Sequence, residues 1–106
     1  KKYYLTYNDL INMNEEVATD FWTNPDIDID VFAMSVKGLE EEKVTAIIEM
    51  MPKKKQAMFQ PIEKPMPKKD VMESRRKIVE LAQSMINAGD IKIEDVIGGG
   101  AQEMID

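Results

Sequence analysis

The longest periodic segment of the chain runs from Asp70 to Gly89, and its apolar residues recur at three- and four-residue spacing. This pattern predicts an amphipathic helix. We expect Asp70 to cap its first turn, with Glu73 three residues later as in a capping box, and Gly89 to end it in the left-handed conformation. Ile78 and Met85 lie on the apolar side, so we expect both to be largely buried.

Five shorter helices are predicted to precede this one and to pack on it. Phe21 and Trp22 each stand four residues after another apolar side chain, and Asn14 stands where it can cap their helix. We expect both aromatic rings to anchor the core. The predicted helices span residues 7–12, 14–23, 28–37, 40–51, 53–60 and 70–88, with Gln60–Lys69 and everything beyond about Ile93 irregular.

Residues 27–31 fit two patterns. Their apolar side chains alternate with acidic ones as in a strand, but the segment also fits a helix that is capped by Asp28 and closed by Gly38. A lone strand would have no partner in a chain that is otherwise helical, so we interpret the segment as the third helix.

The end of the chain has a different character. Beyond Ile93 it contains the run Gly98-Gly99-Gly100, which lacks the flanking strand, helix and spacing of a phosphate loop. We interpret the run as a flexible hinge before a mobile tail. The expected organisation is one helical domain over residues 1–89 and a flexible, glycine-containing tail over residues 90–106.

Composition excludes several classes of function. The 106 residues include no cysteine and no histidine, which removes disulfides, thiol nucleophiles, imidazole catalysis and the usual zinc sites. A net charge of −6 argues against duplex nucleic-acid binding. We therefore expect no enzyme activity and no catalytic, cofactor-binding or metal-binding residue.

No apolar run reaches the ~20 residues of a membrane span, so we expect a soluble, intracellular protein. The chain starts with Lys1 rather than methionine, and we expect it to be a piece of a longer protein.

Charge is distributed unevenly along the chain. Residues 1–51 carry a net charge of −7, residues 52–70 a net charge of +4, and residues 71–106 a net charge of −3. The sequence thus places a basic patch on an acidic body. Such a patch can steer an acidic partner over roughly the ~8 Å Debye length of physiological salt, although lysine runs are equally common on plain solvated surfaces.

Several short motifs occur in a fixed order. The apolar third helix ends in Lys37-Gly38, a Glu-rich helix ends in Met51, Arg76-Lys77 precedes an apolar run, and Gly89-Asp90 precedes the glycine cluster. This collinear set resembles the C-terminal region of the flagellar rotor switch protein FliG, whose helices end in LKG and in M and are followed by a KI-containing helix, GEI and a glycine cluster. The resemblance covers nearly the whole chain, and no single motif is specific.

The resemblance implies an all-α, armadillo-like, right-handed superhelical bundle of about six helices with one long C-terminal helix. It implies a rotor-ring domain without cofactor, peripheral on the cytoplasmic face of the bacterial inner membrane. The implied partners are the cytoplasmic loop of the stator protein MotA, other switch-complex proteins and ring neighbours of the same kind, with no nucleic acid and no direct membrane insertion. Hinge residues are implied where the family has Met-Phe-x-Phe, at Tyr4, Leu5, Thr6 and Tyr7.

The charge pattern of the family is only partly retained. Lys37 matches the lysine of LKG, and Lys54 falls where the family has an arginine. An adjacent acidic pair of the family aligns near Pro61-Ile62, and a later arginine of the family aligns near Pro67. This chain therefore lacks the acidic pair and that arginine. We expect partner contacts at Lys37, Lys53, Lys54, Lys68 and Lys69. The rival interpretation is a diverged paralogue that keeps the scaffold as a helical interaction module without a direct torque role.

Overall fold

The computed structural model describes residues 5–101, and side chains as far as Ile97. These residues form helices and no β-strand, which confirms the predicted all-α class. Seven helices are present in the described part rather than about six. They are α1 (Tyr7–Ile11), α2 (Glu15–Trp22), α3 (Ile29–Ser35), α4 (Glu41–Met50), α5 (Lys53–Met58), α6 (Lys68–Ala88) and α7 (Ile93–Ala101). None of the described helices is long and apolar enough to cross a membrane.

The ambiguous third segment is a helix. The Asp28 carboxylate accepts hydrogen bonds from the amides of Asp30 and Val31, at 2.8 and 3.2 Å, which fixes the first turn of α3. The helix ends at Ser35, two residues earlier than predicted. Gly38 lies in the following turn with φ of +87°, a left-handed conformation that costs glycine nothing.

The core is built around aromatic side chains from α2 and α3. Phe21 and Trp22 are 0 % and 1 % exposed, as predicted, and Phe32 is 0 % exposed. The rings of Trp22 and Phe32 meet edge to face with centroids 5.5 Å apart, and Phe59 extends the stack by packing on Phe32 at 5.7 Å. Asn14 caps α2 as predicted, because its side chain accepts from the amide of Val17.

The long helix α6 packs along α3 more extensively than any other pair of described helices packs together. Ile78 and Ala82 are its buried residues. Met85 is partly buried and packs against the core, and its sulfur accepts from the Asn24 amide nitrogen at 3.1 Å. Gly89 ends the helix with φ of +87°, as predicted.

The start of α6 differs from the prediction. The helix begins at Lys68, directly after Pro67, and no side chain caps it. Asp70 is therefore the third helical residue rather than the cap, and its amide donates to the Pro67 carbonyl at 3.0 Å. The expected capping box of Asp70 with Glu73 is wrong, because the fixed φ of Pro67, −59°, already suits the residue before a helix.

The prediction that the chain is irregular beyond about Ile93 is wrong within the described residues. Residues 93–101 form α7, so the backbone of Gly98-Gly99-Gly100 lies inside a helix rather than in a hinge. Ile91 and Val96 are 6 % and 2 % exposed and belong to the core, and α7 contacts α1. The core thus extends past residue 89, while the predicted mobile tail beyond residue 101 lies outside the described residues.

One long connection separates α5 from α6. Residues 60–66 are irregular, as predicted, and we call them the strap. The strap follows Phe59, contains Pro61 and Pro65, and leads through Pro67 into α6. Proline cannot donate a backbone hydrogen bond and disfavours a helical conformation in the residue before it, so these residues keep the strap from forming a helix.

Candidate functional site

Helix α5 presents a basic face to solvent. Lys53, Lys54, Ala57 and Met58 are exposed, and they fall within a single arc of the helix because residues four apart lie one above the other. Met58 is 53 % exposed, the most exposed large apolar side chain among the described residues. The opposite face of α5 is hydrogen-bonded to the rest of the domain. The Lys55 ammonium donates to the carbonyl of Ile27, and the Gln56 amide donates to the carbonyl of Met51 at 2.8 Å.

A second basic position lies at the start of α6. Lys68 and Lys69 are exposed in its first turn, where the unpaired amides of a helix already carry partial positive charge. Asp70, in the same turn, is the acidic side chain that partly offsets this charge. The two lysines and the helix end together favour an acidic ligand at this position.

Lys37 lies in a different environment from the other lysines expected to contact a partner. It is half-buried, and its ammonium donates to the carbonyls of Ile62 and Lys64 at 2.9 and 2.6 Å. Its charge therefore satisfies two backbone oxygens of the strap. The role of Lys37 as a partner contact stays a prediction, and the geometry gives it an internal structural role that sequence reasoning missed.

Arg75 joins three elements, and sequence reasoning missed it as well. From α6, its guanidinium donates to the carbonyl of Ser35 at 2.7 Å and to the carbonyl of Lys37 at 2.8 Å. These carbonyls lie at the end of α3, where a helix leaves its last carbonyls unpaired and favours a cation. The guanidinium carbon also lies 4.9 Å from the centroid of the Tyr7 ring, in cation–π contact with α1.

Ser35 is the buried polar residue of the described core, with 0 % exposure. Its hydroxyl donates to the carbonyl of Phe32 at 2.8 Å, which leaves an oxygen lone pair to accept from the Tyr7 hydroxyl at 2.9 Å. Burial raises the pKa of the Tyr7 phenol, while the Ser35 hydrogen bond and the nearby Arg75 charge oppose that rise. Tyr7 therefore stays neutral and serves as a donor to Ser35.

The expected hinge residues are well connected where the structure describes them. Tyr4 lies outside the described residues. Leu5 packs against the core, and Thr6 caps α1 in a capping box with Asp9. Tyr7 is fixed by Ser35 and Arg75. Their role as a hinge stays a prediction, and any movement there has to include or break these contacts.

Shallow grooves with partly apolar walls lie on the surface of the described residues, and two of them flank α4. One of about 340 Å³ lies between α3, α4 and the strap, with Leu39, Val44 and Phe59 on its walls. The other, of about 460 Å³, lies between α1, α2 and α4, and Lys43 on its rim donates to the Asn12 side chain at 2.8 Å. Within the described residues, no group of acidic side chains is arranged to hold a metal ion. The arrangement offers basic and apolar contact surface.

Comparison with known proteins identifies a family. A family model described as the FliG C-terminal domain matches residues 1–93, which is most of the chain. No curated protein and no solved structure matches.

Proposed function

The chain belongs to the family of FliG C-terminal domains, which are components of the flagellar motor switch. We propose that it forms the stator-facing part of a rotor. The family is one of structural motor components rather than of enzymes. In this proposal the domain transmits torque from the stator to the rotor ring and changes its orientation when rotation reverses.

The exposed lysines at the two ends of the strap are the observation that supports this proposal most. Lys53 and Lys54 lie before the strap, and Lys68 and Lys69 lie after it, all exposed. Each exposed ion pair with a partner is worth about 0–1 kcal/mol, so several lysines must act together. Weak, multiple and salt-sensitive contacts suit a surface that must bind and release its partner at every step.

The proposed partner is an acidic surface of the stator, in the cytoplasmic loop of MotA. Other switch-complex proteins and ring neighbours of the same kind are the further partners of a rotor domain. The proposed location follows from these partners and is the cytoplasmic face of the inner membrane, in the flagellar basal body.

The proposed contact surface keeps only one sign of the family's charge pattern. Where the resemblance places an acidic pair, this chain has Pro61-Ile62 at the start of the strap, and α5 has already ended at Met58. We therefore propose a mainly basic contact surface made of Lys53, Lys54, Lys68 and Lys69, with Lys37 contributing through the strap that it holds. Such a domain should not fully replace an ordinary rotor protein.

The experiment is to substitute residues 1–106 for the same region of FliG in a motile bacterium. Rotor assembly is followed by fluorescent foci, and swimming speed reports torque. We expect assembled rotors with weak or absent rotation, made weaker by Lys54→Glu. Lys92→Glu, an equal charge reversal at an exposed position outside the contact surface, is the matched control and should leave the speed unchanged.

Normal swimming speed would contradict the proposal, because it would show that the lost acidic pair is dispensable. Equal effects of Lys54→Glu and Lys92→Glu would contradict the assignment of the contact surface. Rotors that fail to assemble would favour the second candidate function, a paralogue that serves as a helical interaction module without a direct torque role. The proline residues that replace family charges are the observation that favours this alternative.

A further inference from the structure

The strap is held to the domain by very few polar contacts. Within the described residues, residues 60–66 take part in no hydrogen bond between backbone groups. The described hydrogen bonds to their backbone are the two from the Lys37 ammonium, to Ile62 and Lys64. Ile62 and Met66 add partly buried apolar surface. A single side chain thus supplies the hydrogen bonds that fix the strap.

The backbone of Lys37 is itself held by a side chain of α6. Its carbonyl accepts from Arg75, whose second donor binds the carbonyl of Ser35, so the guanidinium fork clamps the residues that follow α3. The clamp sets the backbone from which the Lys37 side chain extends. A guanidinium holds such a geometry better than an ammonium, because its donors are rigid and planar.

Tyr7 completes the connection from α1. Its ring faces the Arg75 guanidinium at 4.9 Å, and its hydroxyl binds Ser35 at 2.9 Å. Tyr7 is also the last of the four residues at which the resemblance places a hinge. A continuous set of contacts therefore runs from the hinge segment through Arg75 and Lys37 to the strap.

We propose that the position of the Tyr7 side chain controls, through Arg75 and Lys37, how firmly the strap is held between the lysines of the contact surface, with Lys54 before it and Lys68 after it. The inference rests on the proposed function for its biological meaning, since it describes how a change at the hinge would reach the strap that joins the lysines of the contact surface. Displacing Tyr7 would remove one support of the Arg75 clamp, loosen Lys37 and release the strap. The strap, with its exposed Lys64, would then become mobile beside the contact surface without unfolding of the core.

The proposal can be tested on the isolated chain without any partner. The natural sequence has no cysteine, so Lys64→Cys gives one specific attachment site for a nitroxide spin label on the strap. The Lys64 side chain is exposed and only its carbonyl is used by Lys37, so the label leaves the contact intact. Electron paramagnetic resonance spectra then show how much of the label population is immobile.

We expect Lys37→Met to abolish the immobile component, while Lys37→Arg retains it because a guanidinium still donates. Tyr7→Phe and Arg75→Lys should each reduce the immobile component. Tyr7→Phe removes only the hydroxyl that binds Ser35, and Arg75→Lys keeps the positive charge but loses the two-donor geometry of the guanidinium. Lys43→Met is the matched control, because Lys43 makes its hydrogen bond to Asn12, away from the strap. All of these variants should keep the helical circular dichroism of the parent.

An unchanged spectrum in Tyr7→Phe and Arg75→Lys, beside a changed spectrum in Lys37→Met, would overturn the coupling and leave only a local role for Lys37. An unchanged spectrum in Lys37→Met would overturn the proposal at its first step. Both results are independent of motility, so they are distinct from a failure of the proposed stator contact.

Discussion

Helix α6 and the strap that precedes it are adjacent in sequence, but different kinds of interaction hold them to the domain. Helix α6 places Ile78 and Ala82 in the core and packs along α3, so its position depends on apolar shape. The strap depends on two hydrogen bonds from Lys37 and on partly buried Ile62 and Met66. Helices α3 and α6 therefore form a rigid frame, and the strap is a weakly held segment attached to it.

The frame should lose the most stability when a buried apolar side chain is shortened. Ile78→Ala removes buried methyl and methylene groups and leaves a cavity between α6 and α3, so the free energy of unfolding should fall by about 2–5 kcal/mol. Lys77→Ala, its exposed neighbour, should change it by less than about 0.5 kcal/mol. Chemical denaturation of both variants gives these values, and similar midpoints would show that α6 is turned differently.

The junction between frame and strap should be the next most sensitive place. Arg75→Met leaves the carbonyls of Ser35 and Lys37 without their charged donor, and hydrogen bonds of this kind contribute about 1.5–3 kcal/mol. We expect a loss of about 2–3 kcal/mol in the free energy of unfolding. Arg76→Met is the control, because Arg76 pairs with Glu73 and Glu80 on the exposed side of the helix, where ion pairs contribute little. Equal losses would argue against the clamp.

The strap itself should contribute little to global stability. Lys37→Met removes the two hydrogen bonds to the strap, and we expect a loss of only about 1 kcal/mol, since the core is untouched and the freed carbonyls can bind water. Lys54→Met, at an exposed lysine without a described partner in the domain, should have no measurable effect. A loss as large as that of Ile78→Ala would mean that the strap belongs to the frame.

The smallest effect concerns pH. Burial raises the pKa of Tyr7, so the folded chain holds the phenol proton more tightly than the unfolded chain does. The stability that Tyr7 contributes is therefore complete below its ordinary pKa of 10.0, and it decreases as the pH rises above that value. Tyr7→Phe should cost about 0.5–1 kcal/mol at pH 7 through the lost hydrogen bond to Ser35. The difference from the parent should shrink above pH 10, and a difference that stays constant would contradict the burial of a neutral phenol.

The frame was largely predictable because its signals are periodic. The spacing of apolar residues predicted α2, α3 and α6, and the caps at Asn14 and Asp28 were correct. The start of α6 was predicted incorrectly because Pro67 at the preceding position replaced the expected side-chain cap. The end of the chain was predicted incorrectly because three glycines were read as a break, although the buried Ile91 and Val96 tie α7 to the core.

The candidate site was less predictable because it depends on contacts between residues far apart in sequence. One signal was available for Arg75. It stands three residues before Ile78 and four before Val79, so it falls on the apolar face of α6, where a charge needs partners. Ser35, inside the apolar run of α3, was a similar signal. Nothing local to Lys37 indicated that its ammonium binds the strap, because Ile62 and Lys64 follow it by 25 and 27 residues.

The proposed contact with the stator is tested most directly by titrating the isotope-labelled chain with the cytoplasmic loop of MotA and recording nuclear magnetic resonance spectra. We expect chemical-shift changes at the amides of Lys53, Lys54, Lys68 and Lys69 that weaken as salt is added, with the amides of α3 near Phe32 unchanged. Changes confined to the acidic face of α2, at Glu15, Glu16 and Asp20, would contradict the proposed contact, as would binding that is insensitive to salt.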